Sequence, residues 1–325
     1  MKAPISTLSA QRGVALVTAL LLATLAVTIV ASLFWQQQVQ VRSIENQRMQ
    51  LQKVWIMRGA LDWASMILRA SGRQSSVDDL GQPWATPLAE TRLDQYLEDG
   101  QSGADDGAAD AVLSGNMIDA QSRYNLNNLN VNGIINPDEL AIFQRLLINL
   151  RLPLNLAKVI AQGIANGQTS APSTESQQPT SENSTNGTLP MMQLDDLLSL
   201  PGLSSDVLQQ LKDFVVFLPE VTTVNVNTAG PELLAARFTE LSLAQAKSLV
   251  AIRRSAPFMD IPNLLAQMSQ LLGRDFTDTV NISLSSNFFL VNGQVRMGRA
   301  TLSTTSLIQR TNNRTGSSIV WMREH

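Results

Sequence analysis

The sequence has no cysteine and a single histidine, His325, among its 325 residues. Without cysteine the chain has neither disulfides nor thiol chemistry, which is compatible with a location outside the cytoplasm. With one histidine, catalysis by a histidine base and metal sites rich in histidine are almost excluded. Because a nucleophile, its base and an orienting group cannot be assembled from what remains, we predict that the protein is not an enzyme.

Charged residues are also few. They make up 16% of the chain, and 24 Lys and Arg stand against 27 Asp and Glu, for a net charge of −3. A protein that binds nucleic acid through phosphate contacts carries clustered positive charge. The composition therefore argues against nucleic acid as a partner.

The longest feature that is present is an uncharged apolar run from Val14 to Phe34. At ~1.5 Å per helical residue, the run covers the ~30 Å hydrocarbon core of a bilayer. Lys2 and Arg12 precede it, so the positive-inside rule keeps the N-terminus in the cytoplasm. We predict a single-pass protein whose body lies on the far side of the membrane.

The residues around the run differ from an ordinary secretory signal peptide. Such a peptide ends in small residues after its apolar block, and residues 32–36 match that pattern poorly. Instead, Gly13 directly precedes the block. Cleavage between Gly13 and Val14 leaves the whole helix on the mature protein, an arrangement that resembles type IV prepilins and pseudopilins.

Helical periodicity continues past the run. Apolar residues recur at three-, four- and seven-residue steps, at Val41, Ile44, Leu51, Val54, Trp55, Leu61 and Leu68. This pattern indicates an amphipathic helix whose apolar side must pack on something. Neither proline nor glycine interrupts the chain from Val14 to Arg58, so we predict one rod over residues 14–70. A separate packed helix is the alternative.

The C-terminal segment changes to a period of two. Its first strand points Phe289, Val291, Val295 and Met297 to one side. A turn at Gly298-Arg299 and a polar turn over residues 311–316 separate this strand from two more, over 301–310 and 318–323. The resulting antiparallel sheet has one apolar face, and the amphipathic part of the N-terminal helix is its expected partner.

A Gly- and Ala-rich stretch carries a group of carboxylates. Its candidate metal ligands are Asp99, Asp105, Asp106 and Asp110. Hard oxygen ligands of this kind suit calcium, although their spacing does not reproduce an EF-hand. A calcium site and a solvated acidic loop are both open interpretations.

Two helical modules are indicated between these parts. The first has a Pro201-Gly202 turn between helices, which is the shape of a helix-hairpin-helix, and a Ser-, Thr-, Gln-, Asn- and Pro-rich insertion over residues 167–190 that we predict to be disordered. In the second, a segment rich in asparagine over residues 224–229 precedes the helices. Residues 119–129 are also rich in asparagine, which is typical of turns with side chains bonded to nearby backbone.

These modules also resemble membrane-anchored DNA-uptake proteins with helix-hairpin-helix domains, which is the rival hypothesis. Such domains hold phosphate on a glycine-rich hairpin. The equivalent turn of the second module, residues 238–242, has no glycine and contains Glu240, and Arg253-Arg254 is the only close basic pair in that module. The sequence therefore resembles these domains in the order of its helices, but it lacks the glycine-rich hairpin that binds phosphate.

Taken together, four segments resemble the minor pseudopilins of the type II secretion system, specifically the K class (general secretion pathway protein K). They are Gln11-Arg12-Gly13-Val14-Ala15-Leu16-Val17, Asp119-Ala120-Gln121-Ser122-Arg123-Tyr124-Asn125-Leu126-Asn127-Asn128-Leu129, Leu200-Pro201-Gly202 and Val224-Asn225-Val226-Asn227-Thr228-Ala229. The resemblance covers essentially the full chain. It implies an α+β fold in which a pilin-like long N-terminal transmembrane helix packs on a small antiparallel sheet, with a large inserted all-α domain of helix-hairpin-helix or SAM-like modules.

The resemblance also implies how the chain is divided. The expected parts are a leader over 1–13, the N-terminal helix over 14–70, the first part of the pilin-like core over 71–111, the first module over 112–218, the second over 219–282 and the β part of the core over 283–325.

The function that the resemblance implies is mechanical. The protein would initiate and cap the tip of a periplasmic pseudopilus with the minor pseudopilins of the I, J and H classes, in the bacterial inner membrane, after cleavage by prepilin peptidase. Folded exoproteins are the cargo, and possible contacts. Most pilins carry Glu at mature position five, where it pairs with the N-terminal amine of a neighbour inside the bilayer. That position, counted from Val14, is Thr18, which suits a first subunit with nothing above it. A plain membrane-anchored periplasmic protein remains the alternative.

Overall fold

The structure, a computed structural model, describes residues 12–93, 111–169, 189–279, 281–298, 300–311 and 314–325. Its first element is α1, a single helix of 63 residues over Arg12–Gln74. At ~1.5 Å per residue the helix is roughly 95 Å long. Its N-terminal part is apolar enough to cross a membrane, with a mean hydropathy of 2.6 and no buried residue in the most apolar window. The predicted continuous rod is confirmed.

The other elements are short. The strands are β1 (Leu88–Arg92), β2 (Ala111–Asp119), β3 (Tyr124–Asn125), β4 (Asn130–Val131), β5 (Ile134–Ile135), β6 (Val215–Val216), β7 (Val224–Asn225), β8 (Ile282–Ser283), β9 (Phe288–Met297), β10 (Ala300–Arg310) and β11 (Ser317–Glu324). The helices after α1 are α2 (Pro137–Asn149), α3 (Asn155–Thr169), α4 (Ser205–Leu211), α5 (Pro231–Arg237), α6 (Leu243–Ser255) and α7 (Ile261–Leu272).

Five strands form one antiparallel sheet in the order β1-β2-β9-β10-β11. The three predicted C-terminal strands are confirmed, and Gly298 has a positive φ of 57° at the end of β9, where the turn was expected. However, β2 is a central strand that pairs with β9 over its full length. The predicted start of the first helical module at residue 112 is therefore wrong, because residues 111–119 belong to the sheet.

The C-terminal part of α1 packs on one face of this sheet. Leu61, Ala64 and Leu68 contact Phe289 and Ile308 in one buried cluster. A neighbouring cluster joins α1 to the other ends of β9 and β10 through Met57, Val295, Met297 and Leu302. The predicted partnership between the amphipathic helix and the sheet is confirmed for this part of α1. The earlier residues of the predicted stripe, Val41, Ile44, Leu51 and Trp55, are instead exposed.

The opposite face of the sheet is also covered, although the sequence pattern predicted one apolar face. Phe288 and Leu290 of β9 and Leu307 of β10 are buried against Val216 and Leu218 of the helical domain. At the N-terminal end of β9 the side chains on both faces are apolar, so the two-residue alternation does not hold there. The prediction of a single apolar face followed only the alternating part of the strand. The sheet is thus the middle layer between α1 and the helical domain.

The helical domain has one continuous core rather than two. Side chains from Tyr124 to Leu284 form a single buried cluster that includes α2, α3, α5, α6 and α7. The two predicted modules, 112–218 and 219–282, therefore share their apolar interior. In addition, α3 continues to Thr169, so residues 167–169 are helical and not part of the predicted disordered insertion; residues 170–188 lie outside the described residues. The α+β class, with its long helix, sheet and helical domain, is confirmed.

Candidate functional site

The predicted processing site lies in the first turns of α1. The helix begins at Arg12 and runs through Gly13 and Val14 without interruption. Further along, the hydroxyl of Thr18 donates to the carbonyl oxygens of Val14 and Ala15, both at 3.0 Å. A hydroxyl bonded to its own helix is satisfied without a neighbouring molecule, which makes Thr18 compatible with a lipid environment.

The four candidate calcium ligands, Asp99, Asp105, Asp106 and Asp110, lie outside the described residues. Among the residues that are described, no group of three or more His, Asp and Glu side chains has the arrangement of a metal site. The calcium site therefore stays a prediction.

A buried polar cluster, which we call the domain joint, connects the helical domain to the sheet. Its members are Asp78, Asp119, Asn225, Thr228, Ser286 and Arg310, all nine-tenths or more buried. Asp78 follows α1, Asp119 ends β2, and Asn225 and Thr228 belong to the helical domain. Ser286 precedes β9 and Arg310 ends β10. Each layer of the fold thus contributes to the joint.

Asp119 is the acceptor at the centre of the domain joint. Its Oδ1 accepts the backbone N–H of Gln121 at 2.8 Å. Its Oδ2 accepts from Asn225 Nδ2 at 2.9 Å, from Ser286 Oγ at 2.6 Å and from the hydroxyl of Thr228. Burial raises the pKa of Asp119 from its ordinary 3.8 to about 6, and the hydrogen bonds from Ser286, Thr228 and the Gln121 backbone oppose part of that rise.

Asp78 carries the charge pairing of the domain joint. Its carboxylate accepts from Arg310, and both side chains are completely buried. It also accepts the backbone N–H of Ser286 at 2.8 Å and two bonds from Arg314 at 2.9 Å. Buried ion pairs hold only where extra hydrogen bonds offset the loss of hydration, and this pair has them. Arg310 also donates to the carbonyl oxygen of Leu68 in α1 at 3.4 Å, so the joint lies at the end of α1 farther from the apolar run.

The asparagines over residues 119–129 form hydrogen bonds to backbone that is distant in sequence within the helical domain. Asn125 donates to the Glu220 carbonyl at 2.8 Å and accepts the Leu218 N–H at 3.2 Å. Asn128 pairs in the same two-way manner with the backbone of Thr222, at 2.7 and 3.1 Å. The predicted local bonds are also present, since Asn125 accepts the N–H of Asn127 at 3.1 Å. The long-range hydrogen bonds were not predicted, because the spacing of asparagines in the sequence does not indicate a bonding partner far along the chain.

In the second asparagine-rich segment, residues 224–229, asparagine side chains likewise form hydrogen bonds to backbone that is distant in sequence. Asn227 donates to the Phe258 carbonyl and accepts the Phe258 N–H, both at 2.9 Å. Asn225 contributes to the domain joint. Both segments therefore supply hydrogen-bond partners to backbone that lies outside long strands and helices. Without them, buried N–H and C=O groups would be left without a partner, which would destabilise the fold.

A buried ion pair joins the two predicted modules. Arg237 at the end of α5 donates to Glu139 at the start of α2 at 2.8 Å, and both side chains are 3% exposed. The same carboxylate oxygen accepts from Asn281 at 3.0 Å. Arg145 of α2 donates to the Ala236 carbonyl at 2.7 Å. These bonds agree with the shared apolar core.

The helix-hairpin-helix turns do not present a phosphate cradle. Gly202 has a positive φ of 85°, and a side chain there would meet Leu156 of the domain interior. In the second module, Glu240 pairs with Arg274 at 2.7 Å. Arg253, which forms the basic pair of this module with Arg254, is buried and donates to the Val226 carbonyl. Burial lowers the pKa of Arg253 to about 10. Arg253 therefore supports the fold and does not face a ligand.

The comparisons with known proteins agree on one family. Residues 122–220 and residues 224–284 each match a domain described as "Type II secretion system (T2SS), protein K". The Type II secretion system protein K of Pseudomonas aeruginosa is 28% identical over 314 residues, covering 92% of this chain and 89% of the relative. That of Pectobacterium carotovorum subsp. carotovorum is 26% identical over 326 residues, covering 92% and 93%.

A solved structure has the same fold. It is described as the crystal structure of the GspK-GspI-GspJ complex from the enterotoxigenic Escherichia coli Type 2 Secretion System. The matched chain aligns with a TM-score of 0.58 and 19% identity, covering 86% of this chain and 98% of that chain.

Proposed function

The chain belongs to the protein K family of type II secretion systems, and we propose that it initiates and caps the periplasmic pseudopilus of such a system as a minor pseudopilin. One observation carries the proposal. The helical domain that matches protein K lies at one end of the pilin-like core, and this is the end farther from the apolar run. The domain joint holds it there through Asp78, Asp119 and Arg310. A bulky domain in that place prevents the addition of a further subunit above it.

The proposal extends to topology and processing. We propose that prepilin peptidase cleaves between Gly13 and Val14, and that α1 then anchors the protein in the bacterial inner membrane with its body in the periplasm. The positive residues Lys2 and Arg12 before the apolar run support this orientation. Thr18, which has no carboxylate to offer a neighbour's amine, supports a place at the start of the filament.

The proposed partners are other minor pseudopilins. The structural relative assembled with GspI and GspJ supports the I and J classes, and we propose the H class as a further partner. Assembly below the tip would push folded exoproteins outward, and we expect no catalytic step by this chain. Calcium stays a possible ligand of the acidic stretch that contains Asp105 and Asp106. A DNA-uptake role is not favoured, because Arg253 is buried.

N-terminal sequencing and intact mass of the membrane protein test the proposal, with and without prepilin peptidase. The expected mature chain starts at Val14 and appears only when the peptidase is present. A chain that retains Met1, or one cut beyond Trp35, would contradict the pseudopilin assignment. Co-purification of the full chain with I- and J-class pseudopilins then tests the place at the tip.

A further inference from the structure

A cleft of about 520 Å³, which we call the interlayer cleft, lies between the sheet and the helical domain. Its floor is formed by Leu290, Asn292 and Thr305 of β9 and β10, and its roof by Leu208 of α4 and Lys212 after it. Leu290 belongs to the face of the sheet opposite α1. Pockets that bind ligands span ~300–1,000 Å³. The two layers therefore leave an opening of ligand size beside their contact.

The mouth of the interlayer cleft combines apolar side chains with a basic one. Met192 and Leu198 are 70% and 43% exposed there. Trp321 of β11 is half-buried, and the guanidinium of Arg323 lies over its ring, with 4.1 Å between the guanidinium carbon and the ring centroid. Arg323 also donates to the Met192 carbonyl at 3.1 Å. Trp and Arg are enriched among the residues that dominate binding at protein interfaces.

Arg123, in the wall of the interlayer cleft, has room for a closer carboxylate than the one it has. Its side chain is 17% exposed and donates to the Lys212 carbonyl at 3.0 Å, whereas the carboxylate of Asp213 is 3.8 Å away and largely exposed. Hydrogen bonds between charged groups are ~2.7–2.9 Å long, and the Arg237–Glu139 pair of this chain has 2.8 Å. Burial lowers the pKa of Arg123, and Asp213 offsets only part of that effect.

The charges of the interlayer cleft differ in exposure according to their sign. Its basic residues Arg123, Lys212 and Arg323 are half-buried, whereas its acidic residues Asp195 and Asp213 are exposed. Salt screens exposed charges more strongly than partly buried ones. Interfaces pair potentials of opposite sign, so the interlayer cleft favours a ligand that brings negative charge inside it. The apolar mouth favours an apolar side chain next to that charge.

We infer that the interlayer cleft binds an acidic surface segment of a secreted protein, with a carboxylate at Arg123 and an apolar side chain between Leu198 and Trp321. The position of the cleft indicates the source of the segment. α1 packs on the other face of the sheet through Leu61 and Phe289, so the cleft opens on the side away from the membrane anchor. A protein that approaches the tip from the periplasm meets this side. The inference rests on the proposed function, since it takes the exported cargo as the occupant.

A photo-crosslinking side chain at position 198 of the full chain identifies the occupant in secreting cells. The same group at position 154 is the matched control, because Leu154 is 48% exposed on the helical domain and does not line the interlayer cleft. We expect an adduct at position 198, and none at 154, with a protein that the same strain releases into the medium. An adduct with a pseudopilin alone, or no adduct while the chain co-purifies with I- and J-class pseudopilins, would overturn the inference and leave the proposed function standing. If the chain does not join those pseudopilins, the proposed function itself fails.

Charge substitutions at the mouth then test the chemistry of recognition, with the cross-linked secreted protein as the probe and the purified full chain in detergent. Leu198→Glu places a carboxylate where the acidic segment enters, so we expect it to weaken binding about tenfold, which is ~1.4 kcal/mol. Leu198→Lys removes the same apolar side chain without that repulsion and should weaken binding less. Leu154→Glu should leave binding unchanged. Equal affinities of the two variants at position 198, or an equal loss with Leu154→Glu, would overturn the inference.

Discussion

Asn225 of the helical domain donates a hydrogen bond to Asp119 at the end of β2, with 2.9 Å between Nδ2 and Oδ2. The same nitrogen lies 3.1 Å from the Asp78 carbonyl oxygen and 3.0 Å from the Ser286 hydroxyl oxygen. One amide group thus contacts the segment after α1, the end of β2 and the approach to β9. We expect the helical domain to move with the pilin-like core as one body, so that a push along α1 reaches the tip.

The stability of the domain joint should depend on pH through Asp119. Its pKa is about 6 in the folded protein against an ordinary 3.8, so between these values the folded state binds more protons than the unfolded state. The contribution of Asp119 to the free energy of unfolding is therefore fully present below about pH 4 and is lost as the pH rises through about 6. At ~1.4 kcal/mol per pKa unit the difference is on the order of 3 kcal/mol.

Asp119→Asn removes this titration and isolates it from other groups. We expect the destabilisation by Asp119→Asn to be larger at about pH 4.5 than at about pH 7.5, in denaturant unfolding of the full chain in detergent. Asp206→Asn, at an exposed position in α4, is the control for the loss of a carboxylate outside the domain joint. If Asp119→Asn lowers the free energy of unfolding by the same amount at both pH values, the pKa assigned to Asp119 is wrong.

The buried ion pair of the domain joint should be costly to break. Arg310→Met leaves the Asp78 carboxylate buried with less compensation, which typically costs about 3–5 kcal/mol. Arg296→Met is the control, because Arg296 pairs with Glu90 at 3.3 Å on the surface, where such pairs contribute about 0–1 kcal/mol. Thermal unfolding of the two full-length variants measures the difference. Equal melting temperatures would contradict the importance of the pair.

The features that could be predicted from the sequence have local signals. The apolar run after Gly13 and the alternation from Phe289 to Met297 predicted the long apolar helix and the C-terminal strands, because period and charge are properties of consecutive residues. β2 has a weaker signal, since Gly115 and Asn116 interrupt its alternation. It becomes a strand through its pairing with β9, a partner far along the chain.

The domain joint and the exposed stripe of α1 show the limit of such reasoning. Asp78, Asp119 and Arg310 meet only after three layers have packed, and nothing in their spacing indicates it. The period of α1 indicates which side is apolar but not which molecule covers it. Leu68 is covered by the chain's own sheet, whereas Trp55 is exposed in the single chain.

The two helical modules should unfold together. Glu139→Gln weakens the pair with Arg237 and thereby the contact between α2 and α5, which share one core. We expect native-state hydrogen exchange to accelerate in both helices, by roughly tenfold for each ~1.4 kcal/mol lost. Glu240→Gln is the control, since its carboxylate pairs with Arg274 at a partly exposed site. Acceleration confined to one of the two helices would show that the modules are independent.

Thr18 should tolerate loss of its hydroxyl but not gain of a carboxylate. Thr18→Val removes only bonds to the Val14 and Ala15 carbonyls of the same helix, so we expect normal secretion of exoproteins in a strain that lacks the native gene. Thr18→Glu places a carboxylate in the bilayer, which costs several kcal/mol unless a neighbour's N-terminal amine pairs with it. A first subunit has no neighbour above to supply that amine, so Thr18→Glu should lower both the membrane-inserted chain and secretion. Normal secretion with Thr18→Glu would mean that an amine is within reach, and the chain would then stand below another subunit rather than at the tip.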